Sequence, residues 1–112
     1  MINKVYKARI NAYKMEIKLY DPSDSEKWKL FQEKFNGVIL LVYRGFQNQW
    51  ALLGWEQDQD EQVKEAFWIA QQIDGVYQDD RERFDKNWSN GKFDPGGTMY
   101  FEDECIITVE EV

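Results

Sequence analysis

The chain contains no histidine, and that single gap removes whole classes of chemistry. No Ser-His-Asp or Cys-His relay can be assembled, and no imidazole is available to ligate a metal. Cysteine occurs once, at Cys105, so no intramolecular disulfide can form. It alternates with Ile107 and Val109 in the run CIITV, the pattern of a buried, inert thiol. No long hydrophobic run exists either: Val38 to Tyr43, the longest, is far too short to span a bilayer. The amino-terminal residues alternate lysine with apolar side chains, unlike the continuous apolar stretch of a secretory signal. These absences predict a soluble, cytoplasmic protein with no membrane partner. Glycine never occurs in a phosphate-cradling context, since Gly96-Gly97 belongs to neither GxxxxGK[ST] nor GxGxxG and reads as a turn. No cofactor is expected.

What is present is aromatic and acidic. At 112 residues, with 43% hydrophobic and 16% aromatic side chains, the chain suffices for one domain, residues 1–112, with a packed core. The net charge of −7 is unevenly spread. Up to Tyr20, five cations (Lys4, Lys7, Arg9, Lys14, Lys18) face only Glu16. From Glu56 to Lys86, ten carboxylates face four cations, and from Asp94 to Val112 six carboxylates face none. Such a surface disfavours direct binding of nucleic acid.

Spacing supplies the elements. In DQDEQVKEAFWIAQQIDG, Asp58 to Gly75, the residues Val63, Ala66, Phe67, Ala70 and Ile73 form the apolar stripe of a helix lying on a sheet. Asp58 with Glu61 reads as its capping pair and Gly75 as its stop. Trp28, Phe31 and Phe35 predict a shorter helix, started at Asp24 or Ser25 and ended by Asn36-Gly37. Lys4 to Tyr20 has period two with a change of phase at Ala12 and Tyr13, which predicts one strand with a bulge or a tight hairpin around Asn11. Val38 to Tyr43 is apolar on both faces, and Gln49 to Glu56 follows as its hairpin partner. Strict alternation sends Trp50 and Trp55 to opposite faces of that strand, leaving one of them to find other cover. Asp79 to Trp88 predicts a short helix held by Phe84 and Trp88. Turns at Ser89-Asn90-Gly91 and Asp94 to Gly97 lead to β structure over Thr98 to Val109, where Asp103-Glu104 implies a bulge or a hairpin of two short strands. The order resembles the ferredoxin-like βαββαβ plan with an extra short helix: an α+β fold with an antiparallel sheet and helices on one face. That plan places the second strand at an edge, although here it is the most apolar.

Two patterns invite a catalytic reading. Glu16-Ile17-Lys18 has the ExK spacing of metal-dependent nucleases, but no acidic residue lies upstream to complete the site. The alternating carboxylates of Glu56 to Glu61 lack the glycine of a calcium loop and lie where a helix begins, where they stabilise its dipole. The expectation is therefore no enzyme, no catalytic residue and no metal site. Aromatic side chains among carboxylates suit a basic protein surface better than phosphate. The expected function is an inhibitor that blocks a basic, nucleic-acid-binding protein. Phage or mobile-element inhibitors of CRISPR or restriction systems are of this kind, as are immunity proteins of nuclease toxins. Candidate contacts are Asp79, Asp80, Glu82 and Asp85, then Glu102, Asp103 and Glu104, with Trp50 and Trp55 as aromatic anchors. The alternative is a small ligand-sensing or structural homo-oligomer, a homodimer for instance, joined through the open sheet face.

Overall fold

Five antiparallel strands form one sheet in the order β4-β3-β2-β1-β5. The computed structural model describes residues 4–73, 80–91 and 99–112, excluding the side chain of Phe46. In chain order the elements are β1 (Tyr6–Ile10), α1 (Ser25–Phe35), β2 (Ile39–Arg44), β3 (Trp50–Trp55), α2 (Asp60–Ala70), α3 (Arg81–Ser89), β4 (Tyr100–Phe101) and β5 (Ile106–Glu111), joined in part by single turns of 3-10 helix. The α+β class with helices against an antiparallel sheet is as predicted. The strand order is not that of the ferredoxin-like plan, because β2 lies at the centre between β1 and β3. Its apolar composition accounts for the position: Val38, Leu40 and Val42 are fully buried, and Ile39, Leu41 and Tyr43 are half-covered on the other face.

The sheet must curl. Phe101 and Ile106 belong to strands on opposite edges, about 19 Å apart in a flat sheet at roughly 4.8 Å per strand. Asp103–Cys105 between them is a 3-10 turn, and five steps of chain reach at most about 17 Å even when fully extended. The connection therefore draws the two edges together around the helices. Phe35 of α1 consequently touches both Phe67 of α2 at 5.7 Å and Phe101 of β4 at 6.3 Å. The core joins these rings to Ala8, Ile10, Leu40, Val42, Val63, Ala66, Phe84 and Cys105.

Four local expectations are corrected by this geometry. β1 ends at Ile10 instead of running to Tyr20, because Asn11 accepts the N–H of Tyr13 and opens a 3-10 turn over Ala12–Lys14. Asn36 and Gln32 then tie Ala12 and Met15 to α1. Gly37, at φ +82°, lets the chain leave α1 and donate its N–H to Ile10. The apparent phase change is thus a turn, with Tyr13 exposed within it and Ile17 exposed beyond it.

α2 starts at Asp60, without a side-chain cap at Gln59. Of its predicted stripe, Val63, Ala66 and Phe67 are buried and Ala70 is partly buried, while Ile73 is buried just beyond the helix end; Gly75 lies outside the described residues. Trp50 and Trp55 share one face. Val42 pairs with Leu52 but Leu41 pairs with Gly54, so Leu53 is an extra residue that restores the phase. β4 and β5, predicted as a bulged strand or a hairpin, pair instead with β3 and β1 at the two edges.

Candidate functional site

The four acidic residues predicted on the third helix fall into different roles. Asp79 lies outside the described residues, as do the turn at Asp94 to Gly97 and Thr98. Asp80 caps α3, accepting the N–H of Arg83 at 2.8 Å. Asp85 faces α2: Arg81 Nε lies 2.9 Å and Lys64 Nζ 3.0 Å from its Oδ1. Arg81 also forms a two-pronged pair with Glu65 and lies over the Trp68 ring at 5.2 Å. The Lys64 ammonium, with Arg81, holds the Asp85 carboxyl below the ordinary aspartate range. Arg81 does the same for Glu65. Glu82 points outward and is exposed. Much of the charge that made this helix look like a contact surface is engaged in fastening α3 to α2.

The second acidic group surrounds the 3-10 turn before β5. Arg44 grips both oxygens of Asp103 at 2.6 and 3.1 Å while lying 4.5 Å from the Trp50 ring centre. Trp50 adds its indole N–H to Asp103 Oδ1 at 2.9 Å. The Arg44 guanidinium and this indole hold Asp103 below its ordinary pKa. Gln49 Nε2 donates to Glu102 at 2.6 Å. The end of the β2–β3 hairpin thus fixes the turn, and Glu104 is left exposed.

Beside this turn is a hollow of about 270 Å³ lined by Lys14, Glu16, Tyr100, Glu102, Glu104 and Cys105. The curl creates it by bringing the chain after β1 against the segment between β4 and β5. Burial pushes the Cys105 thiol up, and Glu104, Glu102 and Glu16 push it further. A thiol kept neutral in this way is not a nucleophile. Tyr100 is half-exposed, so the hollow offers a ring and three carboxylates against one cation. A lysine or arginine side chain suits such a site. Among the described residues, no three acidic or cysteine side chains are placed to share a metal ion.

Trp50 therefore belongs with Glu102 and Asp103, whereas Trp55, Asp80 and Asp85 are anchored elsewhere. Trp55 stacks on Trp88 and donates its N–H to Asp60. Sequence places Glu16 only in the ExK pattern and neither it nor Tyr100 among the contacts: Glu16 is more than 80 residues from Glu102 along the chain, and no local pattern announces their meeting. A second, larger groove of about 530 Å³ lies over β1 and β5. It is mixed in charge: Lys7 pairs with Glu56 at 2.8 Å, with Arg9, Asp58 and Glu110 nearby. Glu56 raises the Lys7 pKa. No helix among the described residues is long and apolar enough to cross a membrane.

No protein-family model, curated protein or solved structure matches the chain.

Proposed function

We propose that this chain is a non-enzymatic acidic binding protein that inhibits a basic, nucleic-acid-handling protein. The inhibitors that phages and mobile elements direct at CRISPR or restriction systems, and the immunity proteins of nuclease toxins, are the functional classes it fits. The observation that carries the reading is the convergence of Glu16, Glu102 and Glu104 with the half-exposed Tyr100 on one hollow. Carboxylates there can pair with cations that otherwise hold phosphates, and the ring can lie against a guanidinium or an alkyl ammonium stem. The contact set is thereby weighted toward Glu102 and Glu104 with Trp50 beside them, Asp103 being held by Arg44 and Trp50. On α3, Glu82 is the exposed acidic member, Asp80 and Asp85 having structural partners.

The test is inhibition of a panel of purified guide-directed nucleases, restriction enzymes and nuclease toxins. One of these should be blocked by direct binding, with association slowed by added salt, because exposed charges are screened beyond about 8 Å at physiological ionic strength. Reversing Glu16, Glu102 and Glu104 to lysine should slow association more than reversing Glu82. Inhibition indifferent to salt and to all these reversals would defeat the reading, as would tight binding of the protein to nucleic acid itself.

A further inference from the structure

The two edges of the sheet are finished differently. β4 is two residues long, whereas β5 runs for six residues, Ile106 to Glu111, without proline or lysine. Short strands, proline, charged side chains and bulges blunt an edge. β5 has a bulge at its start, where Ile107 is an extra residue between Ile106 opposite Ile10 and Thr108 opposite Arg9, and its charges are confined to Glu110 and Glu111 at its end. β5 pairs with β1 in the register Tyr6 with Glu111, Lys7 with Glu110, Ala8 with Val109 and Arg9 with Thr108. Val112 donates its N–H to Val5 at 3.0 Å. The alternation of an antiparallel ladder then turns the backbone groups of Thr108 and Glu110 toward β1 and those of Val109 and Glu111 away from it. Among the described residues, nothing bonds to these outward groups.

Side chains along the same strand say what could cover it. Ile107 is 56% and Val109 45% exposed, two apolar side chains on an edge that no other strand among the described residues pairs with. Glu110 and Glu111 follow, and the only ion pair β5 makes among the described residues is the long one from Lys4 to Glu111 at 3.7 Å. From Asp94 to the end of the sequence there are six acidic residues and no basic one. A second copy of this strand would add like charge to that stretch. A strand bearing lysine or arginine would instead supply the opposite-charge cross-strand pairs that stabilise a sheet.

We infer that the free edge of β5 is a docking strand: an extended segment of the basic partner, alternating apolar and cationic side chains, adds to the sheet there. Its backbone bonds to Val109 and Glu111, its apolar side chains cover Ile107 and Val109, and its cations lie against Glu110 and Glu111. The inference rests on the proposed function for the basic character of the partner. It adds the route of attachment, since β5 begins where the acidic turn ends.

A ten-residue peptide alternating valine and lysine, compared with its valine–glutamate counterpart, serves as the probe. With the lysine peptide, amide exchange at Val109 and Glu111 should slow by about tenfold or more, whereas Glu110 and Val112, already bonded to β1, should change little. Val109→Pro removes an outward N–H that the β1 ladder does not use, a position where an edge strand tolerates proline. It should weaken the peptide by about tenfold or more. Peptide N-methylated at alternate residues should show the same loss against unaltered protein, so the result does not depend on the variant folding. Equal binding of the lysine and glutamate peptides, no binding, or binding unaffected by both Val109→Pro and N-methylation would overturn the inference. If binding survives those changes but is lost on reversing Glu16, Glu102 and Glu104, strand addition fails and the acidic-surface reading stands. If binding is lost with Val109→Pro and N-methylation but ignores those reversals and salt, strand addition stands and the acidic reading fails. Concentration-dependent protection of Val109 and Glu111 without peptide would identify a second copy as the occupant and also overturn it.

Discussion

Trp55 and Trp88 lie stacked with ring centres 5.5 Å apart, and each donates its indole N–H to a different oxygen of Asp60, at 2.9 and 3.0 Å. One carboxylate at the start of α2 thus joins the end of β3 to the end of α3. Phe67 closes the group, edge-on to both rings at about 6 Å.

Asp60→Ala leaves two partly buried indole N–H groups without their acceptor. A hydrogen bond to a charged group contributes about 1.5–3 kcal/mol, and the two share one carboxylate. The substitution should cost about 2 kcal/mol or more in urea unfolding, with a changed tryptophan emission spectrum. Asp60→Asn, which keeps one acceptor, should cost less. Equal stability of all three proteins would show that the stack holds without the carboxylate.

Phe67 is 3% exposed and contacts rings from α1, β3 and α3. Truncation to alanine should cost about 3–5 kcal/mol, the usual loss for a buried aromatic. A loss below about 1 kcal/mol, measured by chemical denaturation, would mean that the site collapses around the gap.

The two long helices were legible because an apolar stripe of period 3.6 depends on local sequence alone, and Phe31, Phe35, Val63, Ala66 and Phe67 are all buried. The central hairpin was legible for a similar reason. Asp60 was not: a carboxylate at a helix start looks like part of a capping arrangement, and its real partners are donors from β3 and α3. Strict alternation puts Trp50 and Trp55 on opposite faces because it ignores the extra residue at Leu53, which exists only in the pairing with β2. The acidic hollow was harder still. It depends on the curl that brings Glu16 beside Glu102 and Glu104, and a short connection reveals that curl only once the strand order is known.

Ion pairing of α3 gives stability a defined response to acid. Arg81 depresses the pKa of Glu65, and Lys64 with Arg81 depresses that of Asp85, from ordinary values of 4.5 and 3.8. A carboxylate whose folded pKa lies below its unfolded value contributes its full stabilisation above the unfolded value and loses it as pH falls through the folded one. The urea midpoint should therefore begin to fall below about pH 5 and continue downward. Arg81→Met removes the main partner of Glu65 and one partner of Asp85, so the fall should be shallower. An unchanged profile would mean that these pairs exist equally in the unfolded chain.

Gln71 is 2% exposed at the end of α2, and among the described residues neither Oε1 nor Nε2 of its amide has a hydrogen-bond partner. Its backbone N–H is satisfied by Phe67, so any strain lies in the side chain alone. Burying an amide without partners costs about 1–3 kcal/mol, whereas a leucine of similar volume loses nothing by leaving water. Gln71→Leu should therefore stabilise the protein by about 1 kcal/mol or more. Gln71→Ala removes the amide but opens a cavity, and the two effects should largely offset each other. Urea midpoints of the two variants test this directly. If leucine destabilises by more than alanine, the amide has a partner in the folded protein and the buried position exists to hold it.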